Sequence, residues 1–315
     1  MATTPLALET GLAPRPYSFW RDTFQRLMRS PSARLGGVLA ILVVSLSVLV
    51  PILDDYDAVR DRDLPSRYAE PDCIIGLMNG DFPASEMTCE LPMGADKNGR
   101  DIMRRVGHGM AVSLAAGVFS VAIALTVGSV IGLVSGFFSG WVDSVAMRLM
   151  DVLLAFPALL LAIALVTVAG ASLRNGMIAV AITQIPIYAR LSRSMAISVR
   201  NTEFVMAARS VGSPDFTIIR KHILPNSIAP LIIQSTLGLG TAVVETAALG
   251  FLGLGQQAPY PELGKMLAES QQSLASGKWW VMVFPGMAII LMVLSFNLLG
   301  DGLRDALDPR LRGND

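Results

Sequence analysis

Residues Ser192–Asn226 read SRSMAISVRNTEFVMAARSVGSPDFTIIRKHILPN, and the rest of the chain is organised around this stretch. It is polar and basic, with Arg193, Arg200, Arg209, Arg220 and Lys221 against Glu203 and Asp215, and it separates two apolar segments. Its punctuation predicts two short helices. Asn201 or Thr202 caps a helix that runs from Glu203 through Ala207 and Ala208 to Val211. Gly212 then supplies a reversal that residues with a Cβ resist. Ser213 caps the second helix, with Pro214 at its first position, where a missing donor costs nothing. Phe216, Ile219 and Ile223 share one face of it at helical spacing, and Pro225 ends it.

Composition says where such an island can sit. The chain has 315 residues, 52% of them hydrophobic and only 16% charged. Soluble domains carry roughly 25% charged residues, so this chain cannot cover itself with a solvated surface and must lie in a membrane. A net charge of +0 gives no argument for nucleic acid. His108 and His222 are the only histidines, too few for a histidine-based metal or catalytic site.

Apolar runs at Leu35–Leu53, Ala111–Phe138, Val145–Gly170, Met177–Leu191, Ser227–Gly250 and Trp280–Leu299 predict an all-α membrane protein of six spans. The first lies too far from the start, and is too long, to be a signal peptide. Residues 1–34 form a basic arm, 54–105 a long polar segment, and 302–315 a polar tail. Four spans separate the arm from the island and two more separate the island from the tail, so all three share one side. Arm and island are both positive, which places them in the cytoplasm. Parity puts 54–105 outside, and its charge agrees. From Asp54 to Asp101 it holds twelve acids against Arg60, Arg62, Arg67, Lys97 and Arg100. Outside, a Cys73–Cys89 disulfide is permitted and is expected to close this segment on itself.

Other features concern the spans. Ala116, Ser120, Ala124, Gly128, Gly132, Gly136 and Gly140 recur every fourth residue, the pattern of a seam along which helix backbones approach closely. Pro157, Pro186 and Pro285 interrupt spans three, four and six, where each removes a backbone hydrogen bond and permits a kink. Asp151 and Glu245 are ionisable groups inside spans. Such groups face a partner or a cavity; Asp151 reads as a paired structural charge near the cytoplasmic end, and Glu245, toward the outer half, as either that or part of a substrate path.

Three other functions compete. A DNA-binding helix–turn–helix suits the spacing of Ala208 and Gly212, but about 35 residues between two spans leave no domain to support a recognition helix. An intramembrane aspartyl protease would pair Asp151 with Asp301, yet Asp301 stands at the edge of a polar tail. A secondary transporter could use Glu245, but has no need of a paired-helix island. No phosphate loop of the form G-x-x-x-x-G-K-[ST] occurs; Gly264-Lys265 and Gly277-Lys278 lack the rest of it.

The island resembles the EAA loop of ABC importer permeases, with Ala207, Ala208, Gly212, Ile223, Leu224 and Pro225 at the motif positions and Met206 where the motif glutamate stands. Glu203, one turn earlier, is the substitute this implies. LPMGADKNGRDIMRRVGHG (Leu91–Gly109) is similar to the motif before helix two of the dipeptide/oligopeptide/nickel permeases through Gly94, Asp96, Gly99, Arg100 and Asp101, with Met93 and Ala95 as departures. Glu245–Leu267 and Phe296–Arg312 look like that family's helix-five ending and C-terminus, and the arm, lone first helix and outer loop match its C-type subunit. The resemblance implies a peptide permease subunit without cofactors of its own. It would pair with a homologous permease, seat its cytoplasmic loop on one of two ATPase subunits that bind ATP and magnesium, and receive substrate from an extracytoplasmic binding protein at a bacterial inner membrane. The same motifs serve nickel and other small solutes.

Overall fold

The computed structural model describes residues 27–28, 30–57, 61–72 and 90–307. Cys73, Cys89 and most of the basic arm lie outside them, so the disulfide expectation falls on residues that are not described. Among the described residues there is no strand, only one backbone bridge between Ala95 and Asp101. The helices are α1 (Pro31–Leu53), α2 (Ile102–Phe138), α3 (Gly140–Leu154), α4 (Ala158–Ala169), α5 (Leu173–Arg200), α6 (Glu203–Ser210), α7 (Asp215–Phe251), α8 (Leu263–Ala275) and α9 (Trp280–Leu307).

α1, α2, α7 and α9 are each long and apolar enough to cross a membrane, and the pair α3–α4 adds a fifth crossing if it is taken as one span. The expected single helix over Val145–Gly170 is therefore corrected: it is two helices meeting at 91°. Pro157 does more than kink it. The residue before a proline is pushed out of helical geometry, and Pro157 itself is extended (φ −56°, ψ 130°) as the N-cap of α4.

α2 is longer than its apolar run. It begins at Ile102, where the Asp101 carboxylate accepts from the Met103 N–H at 2.7 Å. Arg104 and Arg105 in its first turns are held by ion pairs, so their charge does not delay the helix.

The small-residue seam packs α2 on α5. A Cβ on Gly128 would lie 2.7 Å from the Ile185 carbonyl oxygen, and one on Gly136 2.6 Å from that of Arg193. Ser120 donates across the seam to the Met177 carbonyl at 2.9 Å. Contacts at 120–177, 128–185 and 136–193 advance together, so α2 and α5 run parallel, and α3–α4 must carry the chain back between them. Only Gly140 departs from the expected seam: it lies beyond the end of α2 and is exposed.

α9 closes the bundle. A Cβ on Gly36 or Gly302 would collide with Leu299 or Ala33, so α1 and α9 are antiparallel neighbours. The start of α9 lies by the turn before α2, since the Trp280 indole N–H donates to the Ala95 carbonyl at 3.2 Å. One end of the bundle therefore gathers the start of α1, the ends of α2, α5 and α9, and the island.

Candidate functional site

The island folds as two helices around Gly212, shifted slightly from expectation. Thr202 is the backbone N-cap of α6, but its hydroxyl donates back to the Val199 carbonyl at 2.7 Å instead of capping. α6 ends in a paired cap. Gly212 takes φ +79°, its N–H reaches the Arg209 carbonyl at 2.9 Å, and the Ser213 N–H reaches that of Ala208 at 3.1 Å. Pro214, not Ser213, is the N-cap of the next helix.

Pro225 does not end that helix. The chain passes from Asp215 to Phe251 without a break, through a wide turn at Ile219–Ile223 in which the Leu224 N–H bonds five residues back to the Ile219 carbonyl. This turn also changes which residues face inward. Ile218 and Ile223, five apart, are wholly buried with Val205 against Leu133, Phe137, Ala196 and Val199. Phe216, expected on the buried face, is 73% exposed. Val211, Met206 and Phe204 are exposed as well, and so are Glu203, Ala207, Gly212, Leu224 and Pro225.

Three of the five basic residues contact the end of α2 or the start of α3. The Arg200 guanidinium donates to the carbonyls of Gly136 (2.9 Å) and Phe137 (3.2 Å) and to the Ser139 hydroxyl, neutralising the end of α2. Arg193 forms a two-pronged pair with Asp143 of α3 at 2.5 and 2.6 Å. Arg209 lies over the Phe137 ring at 5.0 Å. The island is thus anchored to the helix ends, with Val205, Ile218 and Ile223 packed inside and Phe204, Met206, Val211 and Phe216 exposed.

At the opposite end of the bundle, the motif before α2 is a buried clasp. Gly94 and Gly99 both take positive φ, and a Cβ on Gly99 would strike the Asp63 backbone. The Asp96 carboxylate accepts from the backbone N–H groups of Asn98 (2.8 Å) and Arg100 (3.0 Å), from the Arg100 guanidinium (2.8 Å) and from Arg105. Both arginines continue to Glu269 of α8, at 3.3 and 3.2 Å. Burial pushes the Asp96 carboxyl upward, but Arg105 and Arg100 outweigh it and hold the group below the usual carboxylate range.

Glu262 is a second fixed point that the sequence reading did not single out. It is buried, caps α8 through the N–H groups of Gly264 and Lys265 (2.9 Å each), and accepts from the Ser113 hydroxyl of α2 at 3.2 Å. The one local signal was its place just before α8 and the close Gly264. Its partner on α2, Ser113, is 149 residues away in sequence and leaves no local pattern.

The two span acids separate. Asp151 pairs with Arg190 of α5 at 2.6 Å, both about half exposed. Glu245 of α7 is half-buried and accepts from the Gln184 amide of α5 at 3.3 Å. Among the described residues, no group of three or more acids, histidines or cysteines is placed to hold a metal.

The comparisons agree with this architecture. Residues 128–313 match the family model described as "Binding-protein-dependent transport system inner membrane component", and residues 18–71 match "N-terminal TM domain of oligopeptide transport permease C". The dipeptide transport system permease protein DppC of Alkalihalophilus pseudofirmus is 45% identical over 93% of this chain and 90% of its own length. The glutathione transport system permease protein GsiD of Pectobacterium atrosepticum is 39% identical over 93% of this chain and 92% of its own. Among solved structures, an inward-facing form of the MetNI methionine ABC transporter superposes with a TM-score of 0.54 at 18% identity, covering 66% of this chain and 98% of that one; at that identity the likeness concerns the fold. This multi-pass membrane protein belongs to the family of binding-protein-dependent transport system inner membrane components, the permease subunits of ABC importers.

Proposed function

We propose that the chain is the permease subunit of an ATP-driven importer for peptides. It pairs with a homologous permease to enclose the path, receives substrate from an extracytoplasmic binding protein, and couples to two ATPase subunits through residues 192–226. The substrate class follows the dipeptide and glutathione permeases that the chain resembles; nickel or another small solute is the second reading.

One observation carries the coupling role. Phe204, Met206, Val211 and Phe216 are exposed on α6, the turn after it and the start of α7, next to the end of α5 that Arg200 ties to the end of α2. Exposed apolar clusters rimmed by polar residues mark protein contacts, and the fixed base lets force on this surface reach α2, α5 and α7. Met206 in place of a glutamate makes the surface more apolar, with Glu203 beside it for a charged contact. ATP binding and hydrolysis then belong to the partner subunits, and this chain carries no cofactor.

The orientation puts the island, the start of α1 and the end of α9 in the cytoplasm, on the strength of the basic arm and island. Counting the α3–α4 pair and α5 as crossings gives six spans. Gly94, Asp96, Gly99, Arg100 and Asp101 then form an outer clasp that ties the turn before α2 to α8.

The test is reconstitution of the full complex in proteoliposomes with the binding protein. Peptide uptake is expected to require ATP and to be lost in Gly212→Val, whose branched side chain opposes the left-handed turn. Uptake driven by an ion gradient without the ATPases, or normal uptake by Gly212→Val, overturns the reading.

A further inference from the structure

Glu245 is the one acid in the spanning part of α7, six residues before the helix ends at Phe251, or about 9 Å along the axis at ~1.5 Å per residue. Its recorded partner is the neutral Gln184 amide, at 3.3 Å, which occupies one carboxylate oxygen. No ion pair to it is present among the described residues, in contrast to Asp143 and Asp151, each of which has its own arginine.

The surroundings show which way it faces. Gln184 is 3% exposed and held inside the α5–α7 packing, but Glu245 is only half-buried, and Thr241, one turn before it, is exposed. A carboxylate on a lipid-facing surface is costly, so charged groups in spans face a cavity or a partner. This side of α7 must therefore meet protein or water in the assembled importer. An anion with one neutral donor, at the outer end of such a face, is matched by a cation.

We infer that Glu245, oriented by Gln184, is a recognition site for an ammonium group at the outer mouth of the path, and that its ligand is the protonated amino terminus of an incoming peptide. The inference rests on the peptide-permease reading and adds a specificity-determining residue to it. Gln184 is a positioning residue: it donates to one oxygen and leaves the other for the substrate.

The experiment compares the reconstituted complex with its Glu245→Gln and Glu245→Asp variants. Each is given one dipeptide with a free amino terminus and its N-acetylated form, with binding protein in excess. The binding protein's own preference is the same for all three complexes and cancels when their preference ratios are divided. Glu245→Gln is expected to lower the ratio about tenfold, the scale of one charge-assisted contact, with Glu245→Asp between it and the parent. Equal loss on both peptides overturns the site. So does loss of the partner permease on purification of Glu245→Gln, which would give the carboxylate's cation to that subunit. Failure of the parent complex to import any peptide with ATP overturns the functional reading instead, and this inference with it.

Discussion

Arg200 and Gly136 are 64 residues apart, yet the Arg200 guanidinium donates to the Gly136 carbonyl at 2.9 Å. One long cation at the end of α5 satisfies carbonyls that α2 cannot satisfy itself, and so joins the island to the helix that shares the seam with α5. Arg200→Met keeps the stem and removes the donors. It is expected to cost about 1–3 kcal/mol, read as a lower thermal midpoint of the purified complex, and to raise ATP hydrolysis that is not linked to uptake. An unchanged midpoint with tight coupling would show that the anchor is idle.

The Asp96 clasp gives a pH prediction. Its carboxyl is held below the usual range by Arg105 and Arg100 in spite of burial, so its contribution is present above the unfolded-state pKa. It is lost only as pH falls through the lower folded value. Thermal stability owed to the clasp should therefore be level between pH 7 and 5. Asp96→Asn leaves two buried arginines short of a counter-charge and is expected to lose about 3–5 kcal/mol across that whole window. A variant that matches the parent at pH 7, or a parent whose clasp weakens by pH 6, contradicts the assignment.

The seam can be tested by contrast. A Cβ on Gly132 would collide with the Ala189 carbonyl, whereas one on Gly37 meets nothing within 4 Å. Gly132→Val should abolish recovery of folded protein from membranes, while Gly37→Ala should be recovered in full. Equal yields would mean that α2 and α5 are not packed backbone to backbone.

Much of this was legible in the chain. The period-four small residues marked the α2–α5 seam because close helix approach tolerates little else, and Gly212 marked the reversal because the turn needs positive φ. The start of α2 was not: the apolar run begins at Ala111, and the first turn from Ile102, which Asp101 caps, falls in the outer polar segment. What else was not legible depended on partners far away in sequence. Arg193, Arg200 and Arg209 read only as part of the island's positive charge, but each has a partner on α2 or α3 that no local pattern reveals. Phe216 was assigned to the wrong face for a different reason: the wide turn at Ile219–Ile223 spaces the buried residues five apart, and a 3.6-residue period cannot follow it. The α3–α4 break was half visible, since Pro157 announced a disturbance but not its angle.

The most direct measurement of the coupling claim is co-purification of the ATPase subunits with tagged permease bearing Phe216→Asp, with Phe216→Leu as control. Phe216 is largely exposed and fills no core, so neither substitution should unfold the chain. If residues 192–226 seat the ATPases, Phe216→Asp releases them and stops ATP-dependent uptake while the partner permease stays bound, and Phe216→Leu keeps both. Full ATPase recovery with normal uptake in Phe216→Asp would contradict the claim.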